Sequence, residues 1–186
     1  MDAKPIQAIG ILGTGTIGSS WATFFATQGM KVRMHDIDPD TVERGIGKAY
    51  TNLEALVQYG LVEKGRLASL KENITPAGSM ASLLEGTDYV QESVVETYEV
   101  KGKVYAELDR LSSPQTILAS SSSGLLMSEI QKHAALPGRC LIAHPFNPPH
   151  LVPLVELVPG QKTDPAVMER VKRFFEGLGK IPVVLK

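Results

Sequence analysis

The sequence predicts an α/β protein built on a doubly wound, mostly parallel β-sheet. Short apolar segments alternate with amphipathic segments along the whole chain, the loops between them are short, and a glycine-rich turn follows the first apolar segment. This alternation is typical of strand–helix–strand units whose helices cover both faces of a parallel sheet. The chain has 186 residues, of which 43% are hydrophobic, so we expect one globular domain over residues 1–186.

The spacing of apolar residues divides the chain into alternating strands and helices. The predicted strands are short apolar runs at residues 6–12, 31–36, 74–77, 88–93, 116–120, 139–144 and 152–158. The predicted helices repeat their apolar residues every three or four positions, at residues 18–28, 39–60, 63–70, 79–84, 100–111, 128–133 and 165–176. A last apolar segment, residues 181–186, follows the final helix.

Two helices in succession, 39–60 and 63–70, form an insertion after the second strand. Pro39 suits the first turn of a helix, where its missing N–H leaves no bond unmade. Apolar residues then recur at helical spacing until Gly60, which ends the first of the two helices.

The strand at 152–158 departs from the parallel pattern. Seven residues separate it from His144, and three of them are proline. A parallel crossover needs about a dozen residues or more. We therefore expect this strand to run antiparallel to its predecessor, at the C-terminal edge of the sheet.

The composition excludes several classes of protein. The formal net charge is −1 without a basic patch, which argues against nucleic acid and anionic membrane surfaces as partners. No segment has the roughly 20 apolar residues of a membrane span, and the N-terminus lacks the pattern of a signal peptide, so we expect a soluble cytoplasmic protein. The single Cys140, in an apolar run, excludes an internal disulfide or a cysteine metal cluster, and we expect a buried, inert thiol.

The strongest local motif is the turn GTGTIG at residues 13–18, between an apolar strand and an apolar helix. Gly13 permits the tight turn, Gly15 lets the backbone approach a pyrophosphate, and Gly18 lets the helix pack against the strand. The N–H groups at the start of the helix, around Thr16 and Ile17, then face the phosphates. This context predicts a dinucleotide site.

Asp36 ends the second strand, 18 residues after Gly18. A carboxylate there accepts hydrogen bonds from a ribose diol and repels a 2′-phosphate, and Ile37 beside it offers that phosphate no cation. We therefore predict NAD rather than NADP as the cofactor. The alternative is a carboxylate that caps a helix or lies in a loop, and His35 is interpreted as an ordinary strand or surface residue.

A histidine and a glutamate form a possible acid–base pair. His144 ends a strand, where ligands bind in open α/β sheets, and imidazole suits a general base near neutral pH. Glu156 is embedded in an apolar strand, where a carboxylate needs a partner. The antiparallel direction inferred above would bring the two together. On spacing alone, a core histidine and a solvent-facing glutamate remain an alternative.

The serine run at residues 120–123 follows another predicted strand end. Serine clusters usually form loops and helix caps, but at this edge they would also line the cofactor. No G-x-S-x-G elbow accompanies them, which argues against a serine hydrolase.

Together, these motifs resemble the 3-hydroxyacyl-CoA dehydrogenase family over essentially the whole chain. The resemblance rests on GTGTIG, the acid after the second strand, the helical insertion, SSSSGLL at 120–126 and HPFNPPHLVPLVELV at 144–158. It implies that His144 is the general base and Glu156 its partner. It also implies that Ser123 hydrogen-bonds the substrate oxygen near the nicotinamide, and that Asn147 contacts the cofactor or substrate.

The resemblance further implies that Glu96 and Lys101 bind the nicotinamide ribose region. From the residues alone, both would be exposed side chains near the start of a helix. The cofactor-binding residues predicted in this way are Gly13, Gly15, Thr16, Ile17, Gly18, Asp36, Glu96, Lys101, Ser123 and Asn147. We expect no metal among these ligands.

The activity implied is NAD-dependent oxidation of an L-3-hydroxyacyl-CoA to the 3-ketoacyl-CoA, as in fatty-acid metabolism. The variant HPFNPP and LVPLVE segments also resemble the lambda-crystallin (L-gulonate 3-dehydrogenase) branch, and SSGLL resembles L-carnitine dehydrogenases. A dehydrogenase of a small 3-hydroxy acid without CoA, or a non-catalytic NAD-binding module, therefore remains an alternative.

The family also implies a C-terminal helical domain that completes the site and forms a homodimer. That domain lies outside these 186 residues. We accordingly expect this chain by itself to bind NAD but to turn over poorly.

Overall fold

The computed structural model describes residues 5–185. Within them, one sheet contains eight strands: Ala8–Leu12 (β1), Lys31–His35 (β2), Ile74–Pro76 (β3), Tyr89–Glu92 (β4), Ile117–Ser120 (β5), Cys140–Pro145 (β6), Leu154–Pro159 (β7) and Ile181–Val184 (β8). The helices are Thr16–Thr27 (α1), Pro39–Gln58 (α2), Leu67–Glu72 (α3), Met80–Leu84 (α4), Tyr98–Leu111 (α5), Met127–Ile130 (α6) and Pro165–Gly177 (α7). Short 3₁₀ turns occupy Lys64–Arg66, Gln131–His133 and Pro137–Arg139.

The strand order confirms the predicted doubly wound sheet. The order is β3-β2-β1-β4-β5-β6-β7-β8, and all neighbours from β3 to β6 are parallel. β2 and β4 lie on opposite sides of β1. The order of the strands therefore reverses at β1, and the switch point of the sheet lies at its carboxyl end. Ligands bind in the crevice at such a point.

The change of strand direction at β7 is also confirmed. β7 runs antiparallel to β6, and β8 then pairs parallel with β7. In the β6–β7 ladder, His144 lies directly opposite Glu156. Side chains directly opposite one another point to the same face of a sheet, so the ladder itself brings these two together.

Apolar side chains cover both faces of the sheet. On one face, α1 and α7 bury an aromatic cluster in which Trp21 stacks on Phe25 at 5.4 Å and meets Phe175 at 5.6 Å between ring centroids. On the other face, Tyr105 and Leu108 of α5 pack among side chains of the neighbouring helices and strands. The buried Cys140 belongs to this second layer, and burial raises the pKa of its thiol to about 12, as expected of an inert thiol.

Several ends of the elements lie where they were predicted, and the others differ by up to four residues. α2 begins at Pro39 with Asp38 as its N-cap, and it ends at Gln58, two residues before the positive-φ Gly60. The predicted helix at 63–70 is a 3₁₀ turn followed by α3, and the one at 128–133 is α6 followed by a 3₁₀ turn. No helix within the described residues is long and apolar enough to cross a membrane.

Candidate active site and cofactor cleft

The glycine turn between β1 and α1 has the geometry of a phosphate loop. Gly13 has a φ of +87°, in the region that favours glycine. A Cβ on Gly18 would lie 1.9 Å from the carbonyl oxygen of Gly13, whereas a Cβ on Gly15 would meet no protein atom within 4 Å. Gly18 therefore lets the helix close on the loop, and Gly15 leaves open space in front of it. No side chain within the described chain caps the first turn of α1, so its N–H groups are available to an anion.

Asp36 lies just past β2 and is tied to the same loop. Its Oδ2 accepts hydrogen bonds from the Thr14 amide at 2.7 Å and the Thr14 hydroxyl at 3.1 Å. Its Oδ1 accepts from the amide of Ile37 at 2.8 Å. The carboxylate is thereby fixed at the rim of a cleft of about 690 Å³, which Gly13, Gly15 and Asp36 line together. A carboxylate at this position could accept hydrogen bonds from a ribose diol, and it lies beside the loop that could hold a pyrophosphate.

Glu96 gathers the loop that follows β5. Its Oε1 accepts hydrogen bonds from the Ser122 hydroxyl at 2.8 Å and from the amides of Ser123 and Gly124 at 2.9 and 2.8 Å. Burial by itself would raise the pKa of Glu96, but these hydrogen bonds together lower it below its usual value. The exposed position predicted for Glu96 is confirmed, and its charge organises the backbone around Ser123.

Lys101 is not exposed, and that expectation was wrong. Its side chain is 1% exposed, and its Nζ donates to Oε1 of Glu92 at 2.6 Å. Glu92, at the end of β4, also accepts from the Ser120 hydroxyl at 2.7 Å and the Val94 amide at 2.7 Å. Lys101 is buried because this carboxylate, fully enclosed in the sheet, requires a counter-charge.

Ser123 lies beyond the end of β5 and is exposed. Its hydroxyl lies 3.3 and 3.4 Å from the two carboxylate oxygens of Glu96. Because β5 and β6 are parallel neighbours, with Ser120 opposite Ile142, the serine loop and His144 leave the sheet at the same edge.

His144 and Glu156 form the contact that the antiparallel direction predicted. Nδ1 of His144 lies 2.8 Å from Oε2 of Glu156. The two side chains are 24% and 31% exposed, so each is reachable from solvent but partly enclosed. Because a carboxylate only accepts, the neutral form of His144 carries its proton on Nδ1 and leaves the lone pair of Nε2 free. This pair can therefore act as an oriented base.

The β6–β7 loop contains Asn147, which is exposed and joined to Pro148 by a cis peptide bond. The loop is held by Lys180, whose buried Nζ donates to the carbonyls of Pro149 and Val152 and lies 4.2 Å from the ring centre of Phe24. Sequence reasoning missed this anchor, because a lysine after a helix-ending glycine is usually solvated.

A small cavity joins the cofactor cleft to the serine loop. It has a volume of about 100 Å³ and is lined by Ile17, Ser93, Val94, Glu96, Lys101, Ser121 and Ser122. The predicted Ile17, Glu96 and Lys101 thus meet at one place together with Ser121 and Ser122 of the predicted serine run, while Ser93 was not singled out. A polar pair inside an apolar strand, Gln91 and Glu92, is the signal that could have indicated this region.

Known proteins resemble this chain over most of its length. The family described as "3-hydroxyacyl-CoA dehydrogenase, NAD binding domain" matches residues 8–186. A lambda-crystallin homolog from Mus musculus is 41% identical over 95% of this chain and 56% of its own length. An L-carnitine dehydrogenase from Oceanobacillus iheyensis is 36% identical over 97% of this chain and 58% of its own length.

Solved structures give the same result. FadB2 of M. tuberculosis superposes with a TM-score of 0.94 at 32% identity, over 98% of this chain and 64% of that one. The (S)-3-hydroxybutyryl-CoA dehydrogenase PaaH1 of Ralstonia eutropha superposes with a TM-score of 0.93 at 29% identity, over 98% and 64%. The chain spans a little over half the length of the curated relatives named above. It belongs to the 3-hydroxyacyl-CoA dehydrogenase family and carries that family's NAD-binding domain.

Proposed function

We propose that this chain is the NAD-binding half of a dehydrogenase that oxidises the C3 hydroxyl of an L-3-hydroxyacyl substrate to a ketone. The observation that carries the proposal is the 2.8 Å contact between Nδ1 of His144 and Glu156 at the edge of an NAD-binding sheet. It supplies a base whose reactive nitrogen points away from its partner.

In this mechanism Nε2 of His144 takes the proton of the substrate hydroxyl. Glu156 keeps the imidazole in the required tautomer and stabilises the cation that forms. Bound NAD supplies the hydride acceptor. Ser123, exposed on the neighbouring loop, would donate a hydrogen bond to the substrate oxygen, and Asn147 would contact cofactor or substrate from the β6–β7 loop.

The cofactor contacts follow the cleft. Gly13, Gly15 and the first amides of α1 (Thr16, Ile17 and Gly18) would hold the pyrophosphate, and Asp36 the adenosine ribose. Glu96 lines the small cavity and has a second carboxylate oxygen for a ribose hydroxyl. Lys101 faces the same cavity, but its nearest partner is Glu92, so we propose that it acts on the cofactor mainly through that carboxylate.

The substrate has two candidates. A CoA thioester is favoured by the family and by neighbours named 3-hydroxybutyryl-CoA dehydrogenase, at 28–29% identity. A small 3-hydroxy acid without CoA is favoured by relatives named L-carnitine dehydrogenase, at 35–39% identity. Arg44 and Lys48 are the cations in the first turns of α2, which is few for a CoA platform.

The outer edge of the sheet supports a further helical domain as partner. In β8, Ile181, Val183 and Val184 are 58%, 41% and 47% exposed, and Leu151 in the nearby loop is 53% exposed. An exposed apolar edge strand of this kind is normally covered by another structural element. We propose that a C-terminal helical domain packs there and carries the homodimer interface.

The test starts with binding. Calorimetry on residues 1–186 should show NAD binding much tighter than NADP binding, and turnover by these residues alone should be poor, because water exclusion and final positioning need the second domain. Equal NADP binding would contradict the role of Asp36, and full activity of residues 1–186 would contradict the need for a partner domain.

The catalytic assignment is tested by His144→Ala in the longest form of the protein that carries this domain. We expect kcat to fall by about 10²–10⁴ while NAD affinity is unchanged. His133→Ala, at an exposed histidine outside the site, is the matched control. Activity of His144→Ala within a few-fold of wild type would refute the assignment, and a non-catalytic module would then be favoured.

The substrate is decided by a panel of acetoacetyl-CoA, 3-hydroxybutyrate, L-carnitine and L-gulonate with the matching redox form of the cofactor. Turnover of CoA thioesters alone would establish the first candidate. Turnover of free acids alone would overturn it in favour of the second.

A further inference from the structure

A chain of hydrogen bonds runs beneath the cofactor cavity at the ends of β4, β5 and β6. The buried Tyr89 hydroxyl lies 2.6 Å from Oε1 of Gln91. Nε2 of Gln91 donates to Oγ of Ser121 at 2.8 Å and to the carbonyl oxygen of Ala143 at 3.1 Å. Oγ of Ser121 in turn lies 2.8 Å from Oγ of Ser93. Gln91 itself is 0% exposed.

The chemistry of these groups fixes the direction of the bonds. The carbonyl oxygen of Ala143 can only accept, so the atom of Gln91 facing it must be the amide nitrogen. That assignment places Oε1 towards Tyr89, whose hydroxyl donates to it. It also makes Ser121 the acceptor of the second amide proton, so the Ser121 hydroxyl retains its own proton.

The hydroxyls of Ser93 and Ser121 carry one proton each, and the hydrogen bond between them uses one of these two protons. Whichever hydroxyl donates within the pair, the proton of the other hydroxyl points away from the pair. Both side chains are half-buried and line the cavity of about 100 Å³ together with Ile17 and Glu96. The pair thus presents a hydrogen-bond donor to this cavity, and Gln91 holds it in place.

The strand register places this donor at the same carboxyl ends of the strands as the proposed base. Glu92 pairs with Ser120 and Ser120 pairs with Ile142, so Ser93 and Ser121, each one residue past its strand, lie level with Ala143 of β6. His144 is the next residue after Ala143. Ser93 and Val94 line both the cofactor cleft and the small cavity, so a nicotinamide ring that extends from the cleft towards His144 would come beside the serine pair. The carboxamide is the polar substituent that this ring carries.

We propose that the Ser93–Ser121 pair, oriented by Gln91, donates a hydrogen bond to the carboxamide oxygen of the nicotinamide and so sets the rotation of the ring. The proposal rests on NAD occupying the cleft in the proposed function. It assigns the serines a direct contact with the cofactor and Gln91 a positioning role.

The experiment compares two ligands on residues 1–186 by calorimetry. ADP-ribose shares the adenosine, pyrophosphate and ribose of NAD but lacks the nicotinamide. Ser93→Ala and Ser121→Ala should each weaken NAD binding by about three- to tenfold, the range expected for one hydrogen bond, and change ADP-ribose binding by less than about twofold. Gln91→Met should show the same NAD-selective loss.

Thr116→Val is the matched control for Gln91→Met. It removes another buried hydrogen bond between the same strands at their opposite ends, from the Thr116 hydroxyl to the Thr87 carbonyl at 2.7 Å. We expect it to lower the melting temperature without changing the ratio of the NAD and ADP-ribose affinities. A purely structural role of Gln91 would make the two variants behave alike and would overturn the positioning role.

Three further outcomes separate the ideas. Equal losses for NAD and ADP-ribose, or no loss in the serine variants, would overturn the carboxamide contact. An NAD analogue with acetylpyridine in place of nicotinamide keeps the oxygen but loses the NH₂ group. If the serine substitutions then had no effect, the pair would bind the NH₂ group and the donor assignment would be wrong. Failure of the unsubstituted chain to bind NAD would instead refute the proposed function.

Discussion

The buried Glu92–Lys101 pair gives the sharpest prediction for stability, because both side chains are enclosed and every partner is known. Their exposed fractions are 0% and 1%, and the Lys101 nitrogen lies 2.6 Å from the carboxylate. The substitution Lys101→Met keeps the length and apolar stem of the side chain but removes the ammonium. Glu92 then retains hydrogen bonds from Val94 and Ser120 but has no counter-charge.

The expected cost follows from that loss. Removing one partner of a buried ion pair typically destabilises a protein by about 3–5 kcal/mol, because the remaining charge stays desolvated. For a domain of this size, that corresponds to a fall in melting temperature of about 6–20 °C. Such a loss is a large part of a total stability of about 5–15 kcal/mol.

The double variant Glu92→Gln with Lys101→Met tests the cause. The neutral amide can still accept from the Val94 amide, and its NH₂ group can donate to the Ser120 hydroxyl, which accepts as well as donates. Most of the lost stability should therefore return, to within about 1–2 kcal/mol of wild type. Lys103→Met is the control on the same helix, since its pair with Glu99 is more than three-quarters exposed and should matter little.

Urea unfolding followed by circular dichroism gives the free energy of unfolding of all three variants. Titration with NAD then distinguishes a Lys101 that acts through Glu92 from one that contacts the cofactor directly. A loss below about 1 kcal/mol in Lys101→Met would refute the reasoning, because a buried carboxylate would then tolerate isolation. If the double variant recovers its stability and also its NAD affinity, Lys101 acts through Glu92. Recovered stability without NAD affinity would instead establish direct contact with the cofactor.

Four other predictions concern the cleft, helix α2 and the β6–β7 loop. Asp36→Asn should reduce the ratio of NAD affinity to NADP affinity, measured by calorimetry, by about tenfold. The reason is that repulsion between the Asp36 carboxylate and a 2′-phosphate a few Å away near a surface is about 1–4 kcal/mol. An unchanged affinity ratio would contradict this prediction. Gly18→Ala should destabilise the chain by about 1–3 kcal/mol and weaken NAD binding, because its Cβ would overlap the Gly13 carbonyl. Gly47→Ala, whose Cβ meets open space on α2, should stabilise it by about 0.5–1 kcal/mol. Burial lowers the pKa of Lys180 to about 8 from 10.5, so the ammonium of Lys180 loses its proton at a lower pH in the folded state than in the unfolded state. Between pH 8 and 10.5, the free energy of unfolding of the wild type should therefore rise by up to about 3 kcal/mol relative to that of Lys180→Met. The same pH dependence in the two proteins, measured by urea unfolding, would disprove this.

The sequence was informative where chain geometry leaves little choice. Seven residues with three prolines between His144 and the next strand cannot form a parallel crossover, so the direction of β7 followed from counting. The glycine turn was equally constrained, because the Cβ contacts at Gly13 and Gly18 admit no larger residue without movement. At such positions, local stereochemistry determines the structure before tertiary contacts do.

The sequence was less informative about whether a polar side chain is exposed to water or buried against a partner that is distant in the sequence. Lys101 lies in the first turns of an amphipathic helix, and nothing local distinguishes it from the exposed Lys103 two residues later. Its burial depends on Glu92, nine residues away on a strand enclosed by helices on both faces. Polar residues in such a strand are the usable signal, because each of them must find a partner inside the protein.

The position of the proposed catalytic pair, His144 and Glu156, at the change of strand direction has a physical reason. Parallel strands are joined by crossovers, so neighbouring strand ends carry side chains that are far apart in sequence and depend on the whole sheet for their spacing. In an antiparallel pair, opposite residues have Cβ atoms about 4.5–5.5 Å apart, close enough for an imidazole to reach a carboxylate. The β6–β7 hairpin therefore fixes the 2.8 Å contact of His144 with Glu156 through one local ladder. The carboxyl ends of the parallel strands, where we propose that the cofactor binds, lie at the same side of the sheet, and the exposed Asn147 lies in the loop that joins β6 to β7.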